Sequence, residues 1–239
     1  MILACWSPKG GSGTTVIACG LAAVLARSGP AAGARHPAQG AARALLVDLA
    51  GDATAVLGVP EPTGPGLAEW LAAGADVGAG ALARLEVAAG AGLGLLAWKP
   101  PGPEFRLGPG RAETLLDALS ADHRAVVADC GSGSAGAGLV LAAGAAASLL
   151  VLRPCYLALR RALAAPVRPS GVVLVAEGGR SLGRRDVEEV LGVPVVAEVA
   201  VEDAVARAVD AGLLGRRVPR PLERALRPLV VAHAGRDAA

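Results

Sequence analysis

Ser7-Pro8-Lys9-Gly10-Gly11-Ser12-Gly13-Thr14-Thr15 follows a short apolar run, Met1 to Trp6, and leads into an Ala-rich helical pattern from Val16 to Arg27. The order is strand, glycine loop, helix. Glycines at 10, 11 and 13 let backbone N–H groups close in on phosphate oxygens, and the positive end of the following helix adds a favourable field. The stretch reads as a phosphate nest, with a ligand-free glycine turn as the alternative. Composition argues against the turn. Of 23 basic residues only Lys9 and Lys99 are lysines, so a lysine here is not background. The nucleotide-loop pattern G-x-x-x-x-G-K-[ST] is incomplete, because Thr14 stands where the phosphate-gripping lysine belongs.

Working outward, two buried runs end in aspartate. Ala44-Leu45-Leu46-Val47-Asp48 and Ala125-Val126-Val127-Ala128-Asp129 have the near-continuous apolar character of strands covered on both faces. Their carboxylates then lie at the strands' carboxyl ends, where ligands bind in open α/β sheets. With Thr15 they form an oxygen set suited to a water-rich Mg²⁺, although each Asp alone could equally be a cap or turn residue.

The 239 residues suit a single domain, 1–239, of α/β class with a doubly wound, mostly parallel sheet. The 53% apolar content comes largely from Ala, with 33 glycines besides, and the net charge of +2 makes no global argument for nucleic acid. Cys5, Cys19, Cys130 and Cys155 show no paired spacing with one another or with His36, His123 and His233, so the expectation is reduced, mostly buried thiols and no zinc site. The start has no basic leader before an apolar core, which implies the cytoplasm. Gly131 to Leu152 carries no charge over 22 residues, but its glycines at 131, 133, 136, 138 and 144 make a spanning helix a poor fit. It reads as loop, short helix and a buried strand, Ser148 to Leu152. Gly29 to Arg43 reads as a mobile surface connection and Pro100 to Pro109 as a turn-rich connector. Helices are expected over Arg111 to Leu119 and Arg184 to Leu191, with strands at Val172 to Val175 and Val193 to Val196. Trp98 and Phe105 read as packing residues, since five aromatics in the whole chain make no stacking platform.

The run K-G-G-S-G-T-T resembles the deviant P-loop of the ParA/MinD family, K-G-G-x-G-K-[ST], and Asp129 with its small-residue sequel resembles that family's Walker B and switch II region. Gly66-Leu67-Ala68-Glu69-Trp70-Leu71 and the late run V-E-D-A-V-A-R-A-V-D-A-G-L-L extend the likeness over nearly the whole chain. The resemblance implies a P-loop NTPase fold of the SIMIBI type. It also implies ATP bound by Lys9, Gly10, Gly11, Ser12, Gly13, Thr14 and Thr15, with Mg²⁺ near Thr15, Asp48 and Asp129. Lys9 matches the early lysine that reaches across an ATP-sandwich homodimer. The missing second lysine is similar to the CpaE/TadZ branch, whose members localise pilus machinery.

Departures from the family pattern shape the functional expectation. Relatives end the first Asp strand D-x-D, the second Asp positioning the attacking water; here it falls on Ala50, with Asp52 two residues on. The asparagine many relatives use to read adenine is replaced by Ala176-Glu177-Gly178-Gly179. Losing the phosphate lysine forfeits a hydrogen bond worth on the order of 1.5–3 kcal/mol, tolerable for binding. A well-placed cation is worth roughly 10³ to 10⁵ in phosphoryl-transfer rate, so catalysis fails first. The expectation is an ATP-dependent switch that dimerises, presents a surface to an unidentified protein partner and hydrolyses weakly or not at all. The alternatives are an active partition or septum-site ATPase using Asp52 and Lys9, and a scaffold that has lost nucleotide. For Arg216 to Val231, interrupted at Pro228, a packed closing helix is favoured over a membrane-targeting helix or a DNA-binding basic patch. Peripheral membrane attachment therefore stays a secondary expectation.

Overall fold

A computed structural model of the chain describes residues 1–28, 42–99, 105–133 and 135–236, with side chains up to 232. Most of the Gly29 to Arg43 connection and the first half of the Pro100 to Pro109 connector lie outside the described residues.

Eight strands form one sheet: β1 Ile2–Trp6, β2 Ala44–Asp48, β3 Glu86–Gly90, β4 Leu93–Leu96, β5 Ala125–Asp129, β6 Ala147–Leu152, β7 Gly171–Ala176 and β8 Val195–Ala200. Their order is β3-β4-β2-β5-β1-β6-β7-β8. Every pairing is parallel except the β3–β4 hairpin at one edge, whose tight Gly90–Gly92 connection allows direct reversal. β1 lies between β5 and β6, so its carboxyl end opens in the middle of the sheet.

The helices are α1 Thr14–Arg27, α2 Ala53–Leu57, α3 Leu67–Ala72, α4 Arg111–Ser120, α5 Gly136–Gly144, α6 Tyr156–Leu163, α7 Arg184–Leu191, α8 Asp203–Asp210 and α9 Arg220–Arg236, with a 3-10 turn at Ala79–Arg84. Alternation along the strands builds a core on each face of the sheet. Leu3, Cys5, Leu46, Val127, Leu149, Val151 and Val173 face Ile17 and Leu21 of α1 and Leu222 and Leu226 of α9. Ile2, Ala4, Trp6, Val126, Leu150 and Leu174 face α3 to α7.

α9 closes the first of these cores. Leu222, Leu226 and Leu229 are buried, and a Cβ added to Gly20 of α1 would meet Leu222 Cδ2 at 2.9 Å, so glycine here permits the close approach. This is the packed closing helix expected from the sequence. Pro228, expected to interrupt it, sits inside the helix. Pro228 and Arg224 are both exposed, so the carbonyl deprived of its N–H partner can take water instead. No described helix is long and apolar enough to cross a membrane; Gly131 to Leu152 resolves into loop, α5 and β6. Of the thiols, Cys5, Cys19 and Cys130 are buried and Cys155 half-buried, all unbridged.

Candidate functional site: a glycine loop beside two in-register carboxylates

The loop begins where β1 ends. Ser7 N–H donates to Gly131 O at 2.9 Å, and Cys130 N–H to Cys5 O at 2.8 Å, so the loop's base is tied to the segment that follows β5. Inside the loop the hydroxyls of Ser7 and Ser12 both donate to the Lys9 carbonyl, at 2.8 and 3.1 Å, and hold the turn closed. Gly11 and Gly13 have φ of +76° and +86°, a region that penalises any side chain. Gly13 is the N-cap of α1, its carbonyl accepting the Ile17 N–H at 3.0 Å.

Two features suit this loop to an anion. No described group accepts the N–H groups of Gly10 to Gly13, and the first turn of α1 leaves its own N–H groups free by helix geometry. A Cβ at Gly10, Gly11 or Gly13 would meet nothing within 4 Å, so the space beside these three residues is open. Thr14 is buried at the start of α1. Lys9 points elsewhere: its Nζ reaches Gly10 O at 3.5 Å in an exposed position.

Asp48 and Asp129 end neighbouring parallel strands and are direct register partners, and Cys5 of β1 is opposite Asp129 on the other side. By alternation with Leu46 and Val127, both carboxylates lie on the α1 face of the sheet, the face on which the glycine loop opens. Both residues are fully buried. Their surroundings differ. Asp48 Oδ1 accepts the N–H groups of Ala50 and Gly51 at 2.9 and 2.8 Å, and Oδ2 that of Ala53 at 3.2 Å. It thus organises the turn into α2, as the capping alternative allowed, keeping spare lone-pair capacity on Oδ2. Burial raises its pKa, and those three N–H groups oppose the rise. Asp129 Oδ1 accepts Gly131 N–H at 3.1 Å, while Oδ2 is buried with no hydrogen-bond partner. Burial pushes the Asp129 carboxyl up to about 6, the Thr15 hydroxyl and Gly131 N–H facing it pull the other way, and the charges of Asp48 and Asp52 add to the rise.

An orphaned buried carboxylate oxygen beside a loop suited to an anion fits a hard cation, for which it would be an oxygen ligand. Among the described residues no three His, Cys, Asp or Glu side chains converge on one point, so such a cation would rely on Asp129, Asp48, Thr15 and ligand or water oxygens. Ala50 is exposed, and its methyl lies near Gly131, where an added Cβ would come within 3.5 Å. Asp52 is exposed at the N-cap of α2, without a side-chain cap bond, close enough for its charge to be felt by both buried carboxylates.

Three further features lie around or beyond this site. Arg153, at the end of β6, has a buried Nε with no hydrogen-bond partner, for which the sequence carried no signal. Trp98 packs edge-on against Phe105 at 5.6 Å, as a packing pair, and also lies 3.3 Å from where a Gly51 Cβ would be, so it borders the turn after Asp48. A cavity of about 630 Å³, with no glycine-loop residue in its wall, is lined by Pro62, Pro65, Trp70, Val77 and Val87. Its wall is braced by Arg111, whose guanidinium stacks 3.6 Å from the Trp70 ring and donates to the carbonyls of Trp70 and Val77. That is an architectural use of the cation.

The sequence matches no protein-family model and no curated protein. Solved structures do match. The ParA family ATPase of Chlorobium tepidum superposes with a TM-score of 0.74 at 18% identity, over 96% of this chain and 97% of that one. The septum site-determining protein MinD of Pyrococcus horikoshii, complexed with Mg-ADP, gives 0.71 at 16% identity over 97% and 95%. An ATP complex of a Cyanothece McdA variant gives 0.65 at 16% identity over 95% of each. The chain has the α/β fold of the ParA/MinD P-loop ATPases.

Proposed function

We propose that the chain is a ParA/MinD-like nucleotide switch of the CpaE/TadZ kind. It binds ATP with Mg²⁺ in the Lys9 to Thr15 loop, forms a homodimer around it, and hydrolyses it weakly or not at all. The observation that carries this reading is the open, N–H-lined glycine cradle next to a buried carboxylate oxygen without a partner. The bound nucleotides of two solved structures of this fold, Mg-ADP and ATP, support the ligand class.

In this reading the backbone of Gly10 to Gly13 and the N-terminus of α1 hold the phosphates. Asp129, Asp48 and Thr15 hold the cation, which neutralises phosphate charge when bound. Lys9, half-buried with its Nζ held by one long exposed contact, reaches the partner chain's nucleotide. What is missing limits turnover: Thr14 offers no cation to the β- and γ-phosphates, and Ala50 no carboxylate to a water. The output is therefore a bound or unbound state, read by a partner protein that positions cellular machinery in the cytoplasm. Calorimetric titration with ATP, ADP and GTP, each with Mg²⁺, alongside steady-state turnover, tests the proposal. Saturable binding with negligible turnover supports it; absence of any binding overturns it in favour of a scaffold.

One observation favours a second reading, an active partition-type ATPase. Asp52 is exposed at the start of α2 near the carboxylate pair, where it could orient water. Robust turnover abolished by Asp52→Ala would establish it.

A further inference from the structure

The loop lacks a cation at Thr14, yet an unpartnered one stands one strand away. β6 is the neighbour of β1 on the side opposite the aspartates, with Trp6 in register with Leu150. Arg153 therefore lies three residues past the Trp6 level, as Lys9 does on its own chain, roughly 10 Å above that level if both are extended. Continuing the alternation of Leu149 and Val151, Arg153 falls on the α1 face, the face of Asp48, Asp129 and the glycine loop. Across this edge of the sheet the order is thus carboxylate, carboxylate, phosphate-type loop, guanidinium.

Arg153 is half-buried, its Nε fully so, and no described carboxylate lies within ion-pair distance of it. Glu177, past the end of β7, is a carboxylate that feels its charge. That carboxylate is already engaged by Arg180 at 2.6 Å, whose hydrogen bond and charge hold it below the usual glutamate range, with Arg153 adding a weaker pull. A buried donor left unpaired is costly unless a ligand completes it, and a guanidinium fork matches phosphate oxygens.

We propose that Arg153 binds the phosphate chain of the nucleotide, supplying from β6 the positive charge that the glycine loop lacks at Thr14. The inference rests on the reading of the loop as a nucleotide site. It places the charge clamp on a strand end, so Lys9 remains available to the partner chain.

The test uses the full chain, with ATP and inorganic tripolyphosphate as separate Mg²⁺-containing probes in calorimetry. Arg153→Gln is expected to weaken both by roughly 10- to 100-fold, the worth of one charge-assisted contact. Arg153→Lys is expected to recover most of the tripolyphosphate affinity by restoring the charge. Because Nε has no partner in the fold, the ligand-free melting temperature of Arg153→Gln should not fall. Unchanged ATP affinity in Arg153→Gln overturns the inference alone. A loss of ATP affinity with tripolyphosphate unaffected also overturns it, moving the contact to the nucleoside. If the wild type binds neither probe, the nucleotide reading itself fails, and this inference with it.

Discussion

Asp48 and Asp129 are register partners on adjacent parallel strands, yet the backbone satisfies both oxygens of the first and leaves Oδ2 of the second without a partner. Two carboxylates of the same origin have separate duties. Asp48 holds the turn that leads to α2, while Asp129 has one buried oxygen that no hydrogen bond satisfies.

That division has a thermodynamic consequence. A buried carboxylate oxygen with no partner, beside a second carboxylate, costs the folded protein stability. Asp129→Asn is expected to raise ligand-free stability by about 1–3 kcal/mol at pH 7, because the amide removes a buried negative charge that burial and Asp48 disfavour. In the same variant the Mg²⁺ dependence of ATP affinity should disappear. Urea unfolding with and without Mg·ATP measures both, and a less stable ligand-free variant would show that Asp129 is structural.

The proposed cross-chain role of Lys9 can be tested apart from its effect on the fold. Its Nζ is exposed and makes a single long contact, to Gly10 O at 3.5 Å. Lys9→Ala is expected to leave the monomer's melting temperature within about 1 °C, since exposed substitutions away from packing are near neutral. The ATP-induced dimer should be lost. Sedimentation with and without Mg·ATP reads this directly, and an unchanged dimer removes the cross-chain role.

Much of this arrangement is legible in the sequence, and for identifiable reasons. β2 and β5 have the bounds read from the sequence because an apolar run closed by a charge has one way to sit in a doubly covered sheet. α7 starts at Arg184 and ends at Leu191, as read, with Gly192 supplying the left-handed stop. Illegible were features whose cause is tertiary. α2 is a five-residue helix held by the Asp48 carboxylate, not by its own propensity. Pro228 continues α9 because burial of Leu226 and Leu229 outweighs one missing hydrogen bond. The open Oδ2 of Asp129 and the unpaired Nε of Arg153 are statements about absent partners, which no local pattern encodes.

Away from the site, an ion-pair network secures the sheet edge and carries a pH signature. Arg124 bonds Glu86 of β3 through Nη1 at 2.7 Å and Asp122 through Nη2 at 2.8 Å, with all three side chains about three-quarters buried or more. Burial alone would push the Asp122 carboxyl up, but the Arg124 side-chain and backbone N–H bonds and charge bring it below its ordinary value. A carboxyl lowered on folding stabilises the protein above its unfolded value, near 4, and loses that contribution as pH falls through the folded value. Asp122→Asn is therefore expected to cost about 1 kcal/mol at pH 7, with the difference from wild type shrinking below pH 4. Denaturant midpoints across pH 2.5 to 7 check the sign; a difference that grows on acidification would contradict it.

Turnover should respond to repair in a graded way, because the two departures from the ATPase pattern remove different things. Thr14 begins α1 directly after the left-handed Gly13, so a lysine there would start at the positive end of the helix, against the open side of the glycine cradle. Thr14→Lys alone is expected to tighten ATP binding by about tenfold or more, the worth of one charge-assisted bond, with little gain in rate. Ala50 is exposed and borders Gly131, on the stretch between the buried Asp48 and the Asp52 N-cap. Ala50→Asp alone adds a carboxylate beside two others without the cation that would keep the phosphate charge in check, so its effect on rate should be small. The double variant joins clamp and positioned water, which act as a unit, and should exceed the product of the two single effects. A double-variant cycle on single-turnover rates with Mg·ATP measures the coupling. Simple multiplicativity would show that water positioning does not limit this site, and fast turnover by the unaltered chain would place it among the active ATPases.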